Sequence, residues 1–106
     1  MKKFLGLKRV KTAVFISGTG SNLRSLIRFS LKKNSPIKIM LVISNNKKAK
    51  GLIFCKKYKI KSKIYSFFRR QKDEIKILEE LNNNRIHLIC LAGFMKILSK
   101  NFINSF

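Results

Sequence analysis

Four β-rich runs, at 10–17, 37–44, 60–65 and 86–92, are separated by segments whose apolar residues return every three or four positions. This repeated switch from strand to helix period narrows the possible folds more than any other feature of the chain. The second run, IKIMLVIS, is almost continuously apolar, as expected of a strand covered on both faces. Leu23, Leu26, Ile27 and Leu31 mark the apolar face of a first helix, which Asn34, Ser35 and Pro36 close. A second helix is expected over 49–58, with Leu52, Ile53 and Tyr58 inward and Gly51 weakening its first turn. A third is expected over 69–81, with Ile75, Ile77, Leu78 and Leu81 on its core side. Gly93 marks a close turn after the fourth strand, and Ser99 is placed to cap a short last helix reaching Phe102 and Ile103. The order βαβαβαβ plus a helical stub predicts a three-layer α/β fold, a mostly parallel sheet with helices on both faces and right-handed crossovers. A length of 106 residues suits one domain.

The first strand runs directly into Gly18, Thr19, Gly20, Ser21 and Asn22 before the first helix. At such a junction the unpaired amides of the helix start and the favourable end of its dipole converge, which suits an anion such as phosphate. Gly18 and Gly20 allow positive φ and close approach by a ligand. Thr19, Ser21 and Asn22 add side-chain donors, although Ser21 or Asn22 can also serve only as helix caps. A dinucleotide fingerprint needs a third glycine where Leu23 stands and an acid about 20 residues on, whereas the first acid is Asp73. A Walker A loop needs Gly-Lys-Ser/Thr, which is missing. The loop therefore points to a phosphate monoester rather than to NAD or ATP.

Charge is unevenly distributed. Lys and Arg number 25 against 4 acids, a formal charge of +21, and the acids are confined to Asp73, Glu74, Glu79 and Glu80. Such an excess attracts polyanions, so nonspecific polyanion binding is expected and a nucleic-acid-binding module is one alternative function. Against that alternative, Lys far outnumbers Arg, and no zinc-finger cysteine pairs or basic-aromatic ladder are present. Cys55 and Cys90 stand alone in apolar surroundings and read as small buried hydrophobes, with no metal site. The basic start, residues 1–9, reads as an extension to a single domain at 10–106; its apolar stretch is too short and too interrupted for an export signal. No uncharged run reaches membrane-spanning length, and a cytoplasmic location with no membrane partner is expected.

Three segments in order, FISGTGSNL at 15–23, VISN at 42–45 and LAGFMKILS at 91–99, closely resemble phosphoribosylglycinamide formyltransferase. The likeness runs from about residue 10 to the last residue. It implies the Rossmann-like formyltransferase fold, incomplete at its C-terminal side. It also implies transfer of a formyl group from the co-substrate 10-formyltetrahydrofolate to the amine of glycinamide ribonucleotide, in de novo purine biosynthesis, without a metal. By resemblance, Thr19, Gly20, Ser21 and Asn22 hold the ribonucleotide phosphate, and Met95, Lys96, Ile97 and Leu98 line the folate pocket. Lys96 stands where the family usually has Arg, which keeps the charge but loses the planar fork. A further family Arg on the cofactor side falls on Arg70, with Arg69 adjacent. His87 replaces a common Asp at the far end of the fourth strand and reads as a partly exposed structural residue.

Formyl transfer to an amine needs a group to take the amine proton and one to stabilise the carbonyl oxygen. The family uses an Asn-x-His pair and a later Asp, none of which has a counterpart in these 106 residues. The four acids are expected to lie on a helix away from the strand carboxyl edge and so to be poor substitutes. The resemblance therefore implies a chain that is inactive alone, whether as a truncated or decayed gene product or as one part of a protein completed by a C-terminal fragment. A formyltetrahydrofolate hydrolase-like fragment is the runner-up within the same chemistry.

Overall fold

The computed structural model describes residues 9–106, so all but the last residue of the expected basic extension lies outside the described residues. Four strands, β1 (Val10–Ile16), β2 (Ile37–Ser44), β3 (Lys61–Ile64) and β4 (Leu88–Leu91), form one sheet in the order β3-β2-β1-β4. All neighbouring pairs are parallel. α1 (Ser21–Ser30) and α2 (Leu52–Lys57) cover one face, where Leu23, Ile27 and Cys55 pack on Val14, Ile16 and Val42. α3 (Arg70–Asn83) and α4 (Lys100–Ser105) cover the other, where Ile77, Leu81 and Phe102 pack on Ala13, Phe15, Leu41 and Ile43. The three-layer parallel α/β architecture expected from the alternation of periods is thus the one observed. Among the described residues no helix is long and apolar enough to cross a membrane.

β1 is the central strand. Its residues from Thr12 to Ile16 are completely buried, with side chains alternating between the two cores. Its register against β2 jumps between Thr12, paired with Ile39, and Ala13, paired with Leu41, leaving Met40 as the extra residue of a bulge. The bulge solves a patterning problem. Ile37, Ile39, Leu41 and Ile43 alternate perfectly in sequence and would otherwise crowd one face. Instead Ile37 and Ile39 join the α1/α2 core, while Leu41 and Ile43 join the α3/α4 core.

The helices depart from the expected patterns at particular residues. α2 begins at Leu52 rather than 49, because Gly51 is held as its cap by the neighbouring loop, and the shorter helix leaves Ile53 65% exposed while Cys55 turns inward. On α3, Ile75 is also exposed and Glu74 takes the buried position, for a reason found at the site below. Ser99 caps α4 as expected, accepting from the Phe102 amide at 3.1 Å. At the other end of the molecule the Arg9 guanidinium donates to the carbonyls of Ser30, Lys32 and Lys33 and so closes the C-terminal end of α1.

The two sheet edges differ in chemistry. β3 is exposed throughout and carries Lys61 and Lys63, both directed at Glu80 of α3 at 3.0 and 4.0 Å. The β4 edge is apolar, with Leu88 and Leu91 partly exposed beside Ile103 and Phe106 of the α4 segment.

Two measurements test this description. The hydrogen bond from Lys61, reinforced by the charges of Lys61 and Lys63, holds the Glu80 carboxyl below its ordinary 4.5. A lowered folded pKa stabilises the fold above the unfolded value and loses that contribution as pH falls through the folded one. Glu80→Gln should therefore lower urea stability at pH 7, with the gap to the parent closing below about pH 4. Burial pushes the Cys55 thiol up to about 11 and raises Cys90 in the same direction. Iodoacetamide at pH 8 should label half-buried Cys90 well before buried Cys55 in the native chain, as followed by peptide mass mapping; equal rates would contradict the packing of α2.

Candidate functional site

The carboxyl ends of the parallel strands gather the loops that follow β1, β2 and β4, and a single side chain ties them together. Ser17, the residue after β1, donates its hydroxyl to Asn45 Oδ1 after β2 and accepts the Met95 amide, after β4, at 2.8 Å. Nearby, Ser44 is fully buried and closes a turn by bonding both backbone groups of Asn46. Both residues fall within the segments singled out from sequence, but their hydroxyls were given no role there. Their signal was a hydroxyl at the last turn of two apolar strands, where a polar side chain needs a partner.

Gly20 caps α1 at φ 81°, and no side chain caps the helix. The first helical hydrogen bond runs from the Arg24 amide to the Gly20 carbonyl at 2.8 Å, so the amides of Ser21, Asn22 and Leu23 precede it. Ser21 and Asn22 are exposed and do not act as caps, which removes the capping-only alternative. The reason for glycine at position 20 is only partly conformational. A Cβ there would stand 2.3 Å from Gly51 Cα, and one on Gly51 would stand 2.8 Å from Ile16 Cδ1 and 3.0 Å from Gly20 Cα. The two glycines let the loop after β1 rest directly on the start of α2, and the Gly51 amide donates to the Gly18 carbonyl at 3.1 Å. Gly20 uses the freedom of positive φ and Gly18 does not, and a Cβ at Gly18 would meet open space.

Thr19 and Ser21 line a groove of about 310 Å³, shared with Arg24, Ser25, Arg28 and Phe54. Gly20 lies buried beneath, and Asn22 lies on the first turn of α1 outside the groove lining. Arg24, Ser25 and Arg28 were not singled out from sequence, though with Ser21 they form one stripe at i, i+3, i+4 and i+7.

The second group of residues is more dispersed. Met95 and Ile97 are 80% and 79% exposed, Lys96 is exposed, and Leu98 is half-buried against the α3/α4 core. Gly93, at φ 73°, turns the chain out of β4, and Phe94 anchors the loop by edge-to-face contacts with Phe15 and Phe67 at 5.3 and 5.4 Å. Arg70 opens α3, with Arg69 as its cap residue, and lines a separate cavity of about 420 Å³ between α3 and α4. None of residues 95–98 lines that cavity.

Two acids lie at this edge, contrary to expectation. α3 follows β3, so its first turn starts at the strand carboxyl ends and carries Asp73 and Glu74 with it. Both are committed to structure. Asp73 accepts the Phe67 amide at 2.9 Å, and Glu74, 5% exposed, accepts the Ser99 amide at 2.8 Å and its hydroxyl at 2.5 Å. Glu79 and Glu80 lie further along the helix as expected. His87 is exposed at the opposite end of β4, where its amide donates to the Lys11 carbonyl. Among the described residues no three His, Cys, Asp or Glu side chains cluster.

Residues 10–106 match the sequence pattern of the formyl transferase family, described as Formyl transferase. The chain belongs to the formyltransferase family. It is 40% identical over 101 residues to the trifunctional purine biosynthetic protein adenosine-3 of Gallus gallus, covering 90% of this chain and 10% of that protein. To the phosphoribosylglycinamide formyltransferase of Haemophilus influenzae it is 36% identical over 99 residues, covering 91% of this chain and 47% of the relative. The formyltransferase fold matches the crystal structure of phosphoribosylglycinamide formyltransferase from Brucella melitensis with a TM-score of 0.86 at 35% identity, over 91% of this chain and 52% of that one. The corresponding enzyme from Anaplasma phagocytophilum matches with a TM-score of 0.81 at 36% identity, over 92% and 46%. The chain thus spans about half the length of the single-function relatives it matches and about a tenth of the trifunctional one.

The glycine contacts rank three substitutions. Gly20→Ala combines a backbone clash with positive φ and should cost most, more than about 2 kcal/mol. Gly51→Ala, which meets the Ile16 methyl at 2.8 Å and Gly20 Cα at 3.0 Å, should cost about 1–2 kcal/mol, and Gly18→Ala less than about 0.5 kcal/mol. Urea denaturation monitored by circular dichroism gives the order, and a harmful Gly18→Ala would refute it.

Proposed function

We propose that this chain provides the ribonucleotide-holding and folate-facing part of a phosphoribosylglycinamide formyltransferase, acting in the transfer of a formyl group from 10-formyltetrahydrofolate to glycinamide ribonucleotide. The observation that carries this reading is the uncapped start of α1: the amides of Ser21, Asn22 and Leu23 are left to an outside acceptor, next to the Thr19 and Ser21 hydroxyls. A phosphate monoester has the size and charge to take them. The family match and the similarity to phosphoribosylglycinamide formyltransferases support glycinamide ribonucleotide as its bearer.

The folate side of the proposal rests on residues 95–98. Met95 and Ile97 offer exposed apolar surface at the strand carboxyl edge, suited to the flat ring of a pterin. Their loop is fixed at its start by the Ser17 hydroxyl, on the Met95 amide, and by Phe94. Lys96 supplies charge for the acidic tail of the donor, and Arg70 stands on the neighbouring α3 start.

Chemistry then needs a proton acceptor for the attacking amine. Asp73 and Glu74, the carboxylates at this edge, are already occupied by backbone amides and the Ser99 hydroxyl. The described residues bind and orient but do not move the proton, so we propose that these 106 residues alone do not catalyse the transfer. The remainder of a formyltransferase domain, in the same polypeptide or a separate C-terminal fragment, would pack along the apolar β4 edge at Leu88, Leu91, Ile103 and Phe106. A cytoplasmic location follows from the same pathway assignment.

Calorimetric titration of the folded chain tests the central point. Glycinamide ribonucleotide should bind and its dephosphorylated riboside should not. Ser21→Ala combined with Asn22→Ala should weaken binding by about tenfold or more. A chain with native circular dichroism that binds neither compound would overturn the proposal.

A further inference from the structure

α3 breaks its own apolar pattern at one place. Ile75 is 56% exposed, while its neighbour Glu74 is 5% exposed. Burying a carboxylate is unfavourable where an aliphatic side chain would be favourable, so the exchange needs a compensating role. Both carboxylate oxygens are bound to one residue. Glu74 Oε2 accepts the Ser99 amide at 2.8 Å, and Oε1 accepts the Ser99 hydroxyl at 2.5 Å. Among the described residues Glu74 takes part in no ion pair. Capping of α4 does not account for the buried acid, because the Ser99 hydroxyl accepts the Phe102 amide by itself.

The segment that precedes Ser99 does account for it. Residues 92–99 belong to no strand or helix. Among the described residues the amides of Lys96, Ile97 and Leu98 make no backbone hydrogen bond. The backbone here is held at its two ends by side chains of other elements, Ser17 on the Met95 amide and Glu74 on the Ser99 amide. Ser17 follows β1, the centre of the sheet. Glu74 lies on α3, whose first turn is itself tied down where Asp73 accepts the Phe67 amide at 2.9 Å. Arg70 precedes Glu74 by one turn of the same helix, and both line the cavity that Ser99 shares. The carboxylate thus joins the helix that carries Arg70 to the far end of the segment that carries Met95, Lys96 and Ile97.

We infer that Glu74 is a positioning residue: it fixes residues 95–98 relative to Arg70, and thereby sets the affinity for a folate that it does not touch. The inference rests on the proposed folate-facing role of residues 95–98, and the two can fail separately.

The test compares the whole chain with its Glu74→Gln variant, which keeps the shape but offers one acceptor oxygen to two donors. Hydrogen–deuterium exchange of the peptide spanning 95–98 should quicken at least about tenfold, with exchange in β1 unchanged. Calorimetric titration with 5-formyltetrahydrofolate should show binding weakened about tenfold, and glycinamide ribonucleotide binding changed less than about twofold. Ser99→Ala removes one of the two contacts and gives a milder variant, and Glu74→Gln combined with Ser99→Ala should bind the folate no worse than Glu74→Gln alone. Unchanged exchange at 95–98 in a variant with native circular dichroism overturns the inference, as does faster exchange there with folate affinity intact. Faster exchange throughout β1 and α3, with both ligands bound more weakly, also overturns it by assigning Glu74 to overall stability. A parent chain that binds no folate, but whose 95–98 segment alone quickens in the variant, supports the positioning and counts against the folate-facing role.

Discussion

The double burial of β1 is the constraint on which the other elements depend. Every residue from Thr12 to Ile16 is shielded on both faces, and those from Thr12 to Phe15 pair on both edges, with β2 and with β4. Helices must therefore cover both faces, and the loops leaving the strand carboxyl ends must share a small space. Ser17 stands where that space begins, and its hydroxyl links three of these loops. The glycine pair solves the remaining steric problem by letting one loop lie against the next helix without side chains between them. An edge where these loops converge thus arises from the need to bury one strand completely.

Much of this was legible in the sequence because it rests on local periodicity. The four strands, the parallel three-layer class, the break at Pro36 and the Ser99 cap all follow from residues within a few positions of one another. Ile53 and Ile75 were misplaced because their orientation is decided from a distance. Gly20 fixes where α2 starts, and the Ser99 amide and hydroxyl draw Glu74 inward from 25 residues away in sequence. A buried carboxylate with loop partners looks, in a helical pattern, like any exposed charge.

The candidate site divides in the same way. The glycine loop was legible because a strand, a small-residue turn and a helix are contiguous there. That glycine is needed at position 20 for contact with Gly51, while Gly18 is free of such demands, required the fold. The loop at 95–98 was found through resemblance; its physical basis, Phe94 wedged against Phe15 and Phe67, joins residues far apart in the chain.

The extra residue at Met40 has a consequence for how this chain tolerates change. It acts as a phase shift in a two-letter code, assigning Ile37 and Ile39 before it to one core and Leu41 and Ile43 after it to the other. A conservative substitution at any one of them alters volume at a single point. Loss of the shift itself would leave the composition almost intact and yet turn half of β2 inside out. In this strand the count of residues carries more information than their identity.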